Sequence, residues 1–344
     1  MLPTYQPVYC GFSRDNSGFA LIQNSPSILL NQISKSAMID KIRFRLGFGI
    51  CDAWLQAVRK YQPLLIHAHF FNDGIDAIKL GARLGLPVIT TVHGHDITKY
   101  ENADSARGRT RNFFERVDCV IAVSKFMAEQ ARQRGCPEDK LEQHYIGIDL
   151  EKFTEEKQET PEPTLLFVGR LVEKKGCTYL LQAMEQLKVK FPQLKLTIIG
   201  DGELKAALQQ EAAARGLQVN FAGTASAVQI RAQLARCWAF VAPSVTAADG
   251  DAEGLGMVFL EAQALHTPVV SFSSGGVVEA VEDQVTGLLC AERDVIGLAG
   301  NIETLLENES LRRRMGEQGR RRVEMQFDVR KQCAKLEQIY AKLG

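Results

Sequence analysis

Two glutamates, Glu253 and Glu261, are separated by seven residues within the segment 243–265. A short apolar strand precedes this segment, and the sequence predicts that a helix then begins at residues 253–256. Glu253 is expected at the start of that helix and Glu261 about two turns along it. Both carboxylates would then face one cleft.

The start of this predicted helix suits an anion. Backbone N–H groups at a helix start are unpaired and carry the positive end of the dipole, so Gly254 and Gly256 would let a phosphate approach them. Glu261 lies in an apolar run, where an ionised carboxylate needs hydrogen-bond donors. The paired hydroxyls of a ribose would supply them. The alternative is that Glu261 faces solvent or caps a neighbouring backbone.

Two further loops of the second half end predicted strands with glycine and charge. Gly169 is followed by Arg170 and Lys175, and Gly200 is followed by Asp201. Arginine binds phosphate through a two-pronged hydrogen bond and lysine binds it as a point charge. Each loop alone is typical of an ordinary turn, but three such loops at one sheet edge indicate a phosphate site.

Histidine pairs follow two predicted strands of the first half. His67 and His69 form one pair, His93 and His95 the other, and Asp96 comes directly after. Spacing of two on a strand places each pair on one face, as in some metal sites. No carboxylate or cysteine completes such a site at short range, so the pairs are interpreted as groups that orient sugar hydroxyls.

The loop Asp249-Gly250-Asp251 has the spacing of a divalent-cation motif. It lies immediately before the predicted helix, where capping and loop hydrogen bonds explain it more simply. Arg170 and Lys175 would already neutralise a diphosphate. The sequence therefore predicts no metal and no other cofactor.

Strands and helices alternate along the whole chain, which is typical of an α/β protein with parallel sheets and helices on both faces. The rhythm restarts at residue 164 after an acidic, proline-bearing segment, 150–163, interpreted as an exposed linker. Two doubly wound, Rossmann-like domains facing a central cleft are predicted, with ligands at the carboxyl ends of the strands. We expect domains at 1–153 and 164–325, and a terminal helix at 326–344 that packs back on the first domain.

Two local predictions concern the first half. The stretch 39–61 is helical in period, and its cations mark either a solvated helix or a surface that faces a membrane or an acceptor. Ser124 is predicted as a helix N-cap.

Composition narrows the function classes. The 344 residues carry 41 basic and 41 acidic side chains, so the overall field favours no nucleic acid. Eight scattered cysteines and the lack of a signal-peptide pattern indicate reduced thiols and a cytoplasmic protein. Six arginines within 312–322 mark either a contact with anionic lipid at the inner face of the membrane or a solvated helix.

Four motifs together resemble one family. VGRLVEKKG at 168–176, GDG at 200–202, the two-glutamate segment, and SSGGVVEAVEDQVTGLL at 273–289 look like the nucleotide-binding half of the family-four retaining glycosyltransferases of GT-B fold. HAHFFNDG and TTVHGHD in the first half are similar to the branch that builds exopolysaccharide and capsule, colanic acid included. The resemblance covers nearly the whole chain from about Tyr5.

The resemblance implies roles for individual residues. Arg170 and Lys175 would hold the donor diphosphate, and Glu261 would bind the ribose. Glu253 would lie beside the transferred sugar, and His93 across the cleft near the anomeric carbon. The same resemblance implies backbone contacts with phosphate or sugar for Gly254, Leu255, Gly256 and Met257. It places Gly169, Gly200 and Asp201 in the loops that bind the donor.

The chain departs from the family pattern in several places. His266 and Gln284 stand where glycine is usual, and Val278 stands where proline is usual, changes expected to cost stability and not activity. Family members open with a further strand in the middle of the first sheet, whereas this chain begins where their second strand would be. Our hypothesis is a misassigned start codon or a truncated gene, which would leave a strand edge exposed.

The expected function is transfer of a hexose from a nucleotide-diphosphate sugar to a glycan or lipid-linked glycan, with the anomeric configuration retained. A catalytically silent protein that binds the donor is the alternative. A nucleotide-sugar epimerase is a third possibility.

Overall fold

The computed structural model describes residues 4–12, 25–46, 49–99 and 104–343, with the side chains of 104–107 excepted. The first lobe carries strands β1–β6 and the second carries β7–β12. The strands are β1 (Tyr9–Gly11), β2 (Ser27–Leu29), β3 (Ile66–His69), β4 (Val88–Val92), β5 (Cys119–Ala122), β6 (Leu141–Gln143), β7 (Thr164–Val168), β8 (Lys195–Ile199), β9 (Val219–Gly223), β10 (Ala239–Val241), β11 (Val269–Phe272) and β12 (Gly287–Cys290).

The helices alternate with these strands, and short 3₁₀ turns cover 138–140, 150–152 and 173–175. The α-helices are α1 (Leu30–Ile33), α2 (Ala37–Arg45), α3 (Asp52–Arg59), α4 (Phe71–Leu84), α5 (His95–Thr98), α6 (Asp104–Arg116), α7 (Lys125–Gln133), α8 (Cys177–Leu187), α9 (Lys205–Ala214), α10 (Ala227–Arg236), α11 (Met257–Ala264), α12 (Val277–Ala280), α13 (Val295–Glu307), α14 (Glu309–Gln326) and α15 (Val329–Ala341).

Both lobes contain a parallel sheet. The first lobe has the order β3-β4-β5-β6 and a separate pair, β1-β2, while the second lobe has the order β12-β11-β10-β7-β8-β9. Among the described residues, β3 pairs with β4 alone. The central strands are apolar and buried on both faces because helices cover both sides of each sheet. One apolar cluster runs through both lobes.

The last helix returns to the first lobe. Ile339 and Tyr340 of α15 pack on Ile89 and Ile121 of the first sheet. A bridge between Ile148 and Asp328 ties the entry of this helix to the segment that leaves the first lobe. The two lobes are therefore joined by two crossings of the chain.

Three sequence predictions about local structure are wrong. Residues 39–61 form two helices, α2 and α3, because the chain turns between them at Gly49, which has a φ of +122°. Helix α10 was not predicted, although Ser226 and Gln229 form a capping box at its start. The linker is irregular but not uniformly exposed, since the partly buried Lys157 donates to the carbonyl of Cys237 and to Thr267 Oγ1 at 2.9 Å.

Four of the six arginines in 312–322 make internal contacts, and three of these contacts reach beyond their own helix. Arg312 pairs with Glu159 at 2.9 Å and stacks over Trp238, 4.0 Å from its ring centroid. Arg320 and Arg322 donate to backbone carbonyls at 2.8 and 2.7 Å. These arginines hold the second lobe together. None of the helices in the described ranges has the length and apolarity needed to cross a membrane.

The two positions where glycine was expected both adopt left-handed backbone. His266 has a φ of +55° and Gln284 a φ of +62°. This conformation crowds the Cβ of any residue except glycine. Their cost therefore lies in backbone strain at turns, as the sequence indicated.

We expect Gln284→Gly to increase the free energy of unfolding by about 1 kcal/mol, because it removes this crowding at an exposed position. Urea unfolding measures the change. Gly85→Ala is the matched control: Gly85 has a φ of +70° and open space around its Cβ position, so it should lose about as much. A destabilised Gln284→Gly protein would contradict the prediction.

Candidate functional site

Two loops of the second lobe are joined side by side at the carboxyl ends of β7 and β10. The amide of Ala248 donates to Glu173 at 3.1 Å, and Lys174 Nζ donates to Asp251 Oδ1 at 2.9 Å. Lys175 Nζ pairs with the Glu253 carboxylate. Three consecutive residues thus bind one facing loop. The sequence singled out Lys175, Glu253 and Asp251 but predicted none of these pairs.

The two lysine–carboxylate pairs are largely withdrawn from water. Side-chain exposure is 8% and 11% for Lys174 and Asp251, and 15% and 13% for Lys175 and Glu253. Burial alone would raise the pKa of Glu253, but Lys175, Lys174 and Arg170 together hold that pKa below its usual value. Glu253 is therefore an ionised carboxylate inside a cluster of cations.

The predicted helix start is four residues too early. Helix α11 begins at Met257, with Gly256 before it at a φ of +84°, so Glu253 lies in the preceding loop. The carbonyl of Glu253 accepts from the amide of Gly276 at 2.8 Å. Leu255 is buried, so its predicted backbone contact with the donor stays a prediction.

Glu261 lies on α11 and is partly buried. It makes no hydrogen bond or ion pair with any residue that the structure describes. Burial raises its pKa, and the charge of Arg231 opposes this. No contact joins Glu261 to Glu253, so the expectation that both face one cleft stays a prediction.

The glycine loops after β7 and β8 touch through their backbones. A Cβ at Gly200 would lie 1.9 Å from the carbonyl oxygen of Gly169, so these strand ends can meet only without a side chain. The Lys175 stem passes 3.6 Å from the Cβ position of Gly169. Asp201 is exposed and pairs with Lys205 at 2.7 Å, away from the lysine–carboxylate pairs.

The lobes meet at Gly254. A Cβ on this residue would lie 2.1 Å from the His93 carbonyl oxygen, and Ser124 Oγ donates to the Gly254 carbonyl at 2.5 Å. Ser124 also accepts from the amide of Met127 at 3.0 Å, which confirms it as the N-cap of α7. The predicted residues His93, Gly254 and Glu253 are therefore brought together.

Glu279 makes a second contact between the lobes that sequence analysis missed. Its carboxylate accepts from the amides of Lys125 and Phe126, each at 2.8 Å, and from the Tyr145 hydroxyl at 2.9 Å. The carboxylate of Glu279 thus lies on the second lobe, and the start of helix α7 that it caps lies on the first. No local pattern could reveal this, because the partners are more than 130 residues apart in sequence.

Three histidine rings form a stack behind the junction. His67 bonds Tyr340 OH at 2.6 Å and Thr91 Oγ1 at 2.7 Å, and its ring stacks on His69 at 4.7 Å. His69 Nδ1 lies 3.0 Å from His93 Nε2. Burial lowers the pKa of His67 to about 3 and that of His93 to about 4, so both rings are neutral near pH 7.

Asp96 fixes the turn that carries His93. Its carboxylate accepts from the amides of His93 at 3.1 Å and Gly94 at 2.8 Å, and from Phe71 at 3.2 Å. Burial raises the pKa of Asp96 against these hydrogen bonds. Asp96 therefore shapes the backbone, whereas sequence analysis expected it to add a polar group at the cleft.

The two aspartates of the Asp249-Gly250-Asp251 loop each have a lysine partner. Asp249 pairs with Lys99 at 2.9 Å and Asp251 with Lys174 at 2.9 Å, while Thr98 Oγ1 donates to Asp251 at 3.2 Å. Within the described ranges, no group of three His, Cys, Asp or Glu side chains is placed to hold a metal. These aspartates bridge the lobes.

Solved structures share the two-lobed architecture. Sucrose-phosphate synthase from Thermosynechococcus elongatus superposes with a TM-score of 0.75 at 24% identity, over 98% of this chain and 88% of that one. HepE from Anabaena, in complex with UDP and glucose, gives 0.72 at 22% identity over 84% and 81%. The fold is GT-B, with two Rossmann-like lobes.

Family models identify the chain more closely. The model for glycosyl transferases group 1 matches residues 149–322, just over half of the sequence, and that for glycosyltransferase family 4 matches 30–152. The chain belongs to the group 1 glycosyl transferases. A putative colanic acid biosynthesis glycosyltransferase, WcaL of Escherichia coli, is 31% identical over 254 residues, 72% of this chain. The match spans 62% of that relative's length.

We expect Gly254→Ala to separate the lobes, because its methyl group would overlap the His93 carbonyl. The free energy of unfolding should fall by roughly 1–3 kcal/mol, as in overpacked cores, and the radius of gyration measured by X-ray scattering should rise. Gly300→Ala is the control: this exposed helical position has open space and should lose nothing. An unchanged radius for Gly254→Ala would count against the assigned junction.

We expect acid to destabilise the protein through the histidine stack. Unfolded histidine takes up a proton near pH 6.5, whereas folded His67 and His93 resist protonation to about pH 3 and 4. Unfolding therefore takes up protons between these limits, and stability falls as the pH is lowered from 6.5. His67→Gln should reduce this slope by about 1.4 kcal/mol per pH unit, measured by urea unfolding at several pH values. Equal slopes would refute the idea.

Proposed function

We propose that this protein transfers a hexose from a nucleotide-diphosphate sugar to a glycan or lipid-linked glycan acceptor in polysaccharide biosynthesis, with retention of the anomeric configuration. One observation carries the proposal. The largely buried pair of Lys175 and Glu253, beside Arg170, lies at the junction where His93 of the first lobe meets the second. A cationic phosphate site and a polar sugar site thus adjoin.

The diphosphate would enter where Lys175 and Arg170 converge. Arg170 is exposed and makes no ion pair with a described residue, so its guanidinium is available for phosphate oxygens. The unpaired carboxylate of Glu261 would accept hydrogen bonds from ribose hydroxyls, which offsets its burial. Fixed cations would stabilise the charge that develops on the departing diphosphate.

The sugar would lie between Glu253 and His93. Glu253 is ionised and would accept from sugar hydroxyls, and the neutral imidazole of His93 would face the anomeric carbon from the other lobe. Closure of the lobes around the sugar would exclude water and orient the acceptor. Attack of the acceptor hydroxyl on the anomeric carbon, from the same face that the diphosphate leaves, would retain the anomeric configuration.

The relatives favour this reaction. WcaL is described as a putative colanic acid biosynthesis glycosyltransferase, and HepE has been solved with UDP and glucose. A uridine diphosphate sugar is therefore the first donor to test. We also propose that catalysis needs no metal, since Lys99 and Lys174 already occupy the two aspartates of the cation motif.

The proposal is tested by calorimetry with UDP, GDP and ADP and their sugars, with and without chelator, followed by turnover of the bound donor. Lys175→Ala and Glu261→Gln should each weaken binding at least tenfold, or about 1.4 kcal/mol. Lys190→Ala, which removes an exposed lysine paired with Glu303, should bind as the unmodified chain does.

Two outcomes would overturn the proposal. Lack of affinity for every nucleotide would exclude the donor site. Binding with neither transfer nor slow hydrolysis would favour the catalytically silent protein.

Affinity should also fall as the pH is lowered through the raised pKa of Glu261, because only its ionised form accepts both ribose hydroxyls.

A further inference from the structure

Phe70 has an unusual backbone conformation for a residue with a side chain. Its φ is +69° and its ψ is 148°, close to a region that glycine alone occupies readily. It stands between β3 and α4, directly after His69. Non-glycine residues persist in such conformations when their surroundings hold them there, and they cluster at functional sites.

Hydrogen bonds on both sides hold this conformation. The Phe70 amide donates to the Thr91 carbonyl at 2.8 Å, and the Phe70 carbonyl accepts from Gly74 at 3.0 Å. The next amide, that of Phe71, donates to Asp96 at 3.2 Å. The chain therefore passes from strand to helix between two adjacent phenylalanines, with Phe71 buried and Phe70 exposed.

The outward ring lies at the lobe junction. Phe70 is 41% exposed, and its ring centroid is 4.7 Å from that of His93 and 5.8 Å from that of His95. His93 in turn touches Gly254 through its carbonyl. An apolar face is thus presented beside imidazole groups and next to the proposed sugar position.

This combination fits a pyranose ring. The C–H face of a sugar packs on an aromatic face, while its hydroxyls need donors and acceptors close by, as ligand sites combine apolar walls with a few polar groups. A phenyl ring carries no polar group, so an exposed ring contributes to binding mainly by packing against an apolar face of a ligand. Apart from His93, the proposed donor groups lie on the second lobe, which leaves the surface around Phe70 for the substrate that attacks the anomeric carbon.

We propose that Phe70, with His93 and His95, forms the subsite for the terminal pyranose of the acceptor. The inference rests on the proposed transferase function and adds the place and chemical class of its second substrate. The strained backbone is the means of placing the ring there. Relief of the strain would withdraw the ring from the cleft.

Saturation-transfer difference NMR on the full chain tests the subsite. UDP is added in excess to fill the donor site, and methyl α-D-mannopyranoside and methyl β-D-glucopyranoside are the probes. Irradiation of aromatic protons should transfer saturation to the C–H protons of at least one probe. Phe70→Ala should reduce that signal at least fivefold, and Phe70→Trp should keep it. Tyr61→Ala, which removes another exposed aromatic ring, should leave it unchanged.

Phe70→Gly separates strain from recognition. It should raise the unfolding temperature, because glycine accepts this backbone, and abolish the sugar signal. UDP affinity measured by calorimetry should persist in the Phe70 variants, which distinguishes failure of the subsite from failure of the donor site. Equal sugar signals with phenylalanine, alanine and glycine at position 70, or no signal from either probe in the UDP-bound protein, would overturn the subsite even where UDP still binds.

Discussion

The close approach of Gly254 to the His93 carbonyl is the constraint on which the rest of the site depends. Nothing larger than hydrogen fits between them, so the two lobes meet backbone to backbone at this point. Ser124 and Glu279 add hydrogen bonds around the contact. Residues that are 160 positions apart in sequence thereby lie on two sides of one cleft, and neither lobe alone contains that site.

Charge pairing prepares the second lobe for this contact. A buried ion pair contributes little net stability, because desolvation cancels most of the attraction, but removal of one partner is costly. Lys174 forms an ion pair with Asp251 and so anchors the loop. Asp251 also accepts a hydrogen bond from Thr98 of the first lobe. Lys175, one residue on, then faces Glu253 at the cleft. In the proposed site, Lys174 would therefore hold the loop while its neighbour Lys175 would bind the ligand.

The sequence predicted the α/β class and the two Rossmann-like lobes because strands and helices alternate in clear apolar runs. Lys175 and Glu253 were found because charge beside glycine at strand ends indicates phosphate chemistry. Helix α11 starts later than predicted since Gly256 adopts a left-handed conformation that composition does not reveal. The hydrogen bonds that Glu279 accepts from α7 could not be predicted from the sequence, because only the arrangement of the two lobes brings Glu279 to that helix.

Backbone strain alone does not mark a ligand site in this chain. Gln284 and Phe70 both have a positive φ, yet only one of them lies beside the lobe junction. Gln284 is an exposed polar residue whose side chain makes only a long hydrogen bond to its neighbour Asp283, at 3.4 Å, so its turn would accept glycine with little loss. Phe70 instead combines strain with an exposed apolar ring, two unfavourable features that would disappear together if the chain took a relaxed path. Their coexistence at the cleft is explained when a ligand covers the ring, because burial of that surface then offsets both.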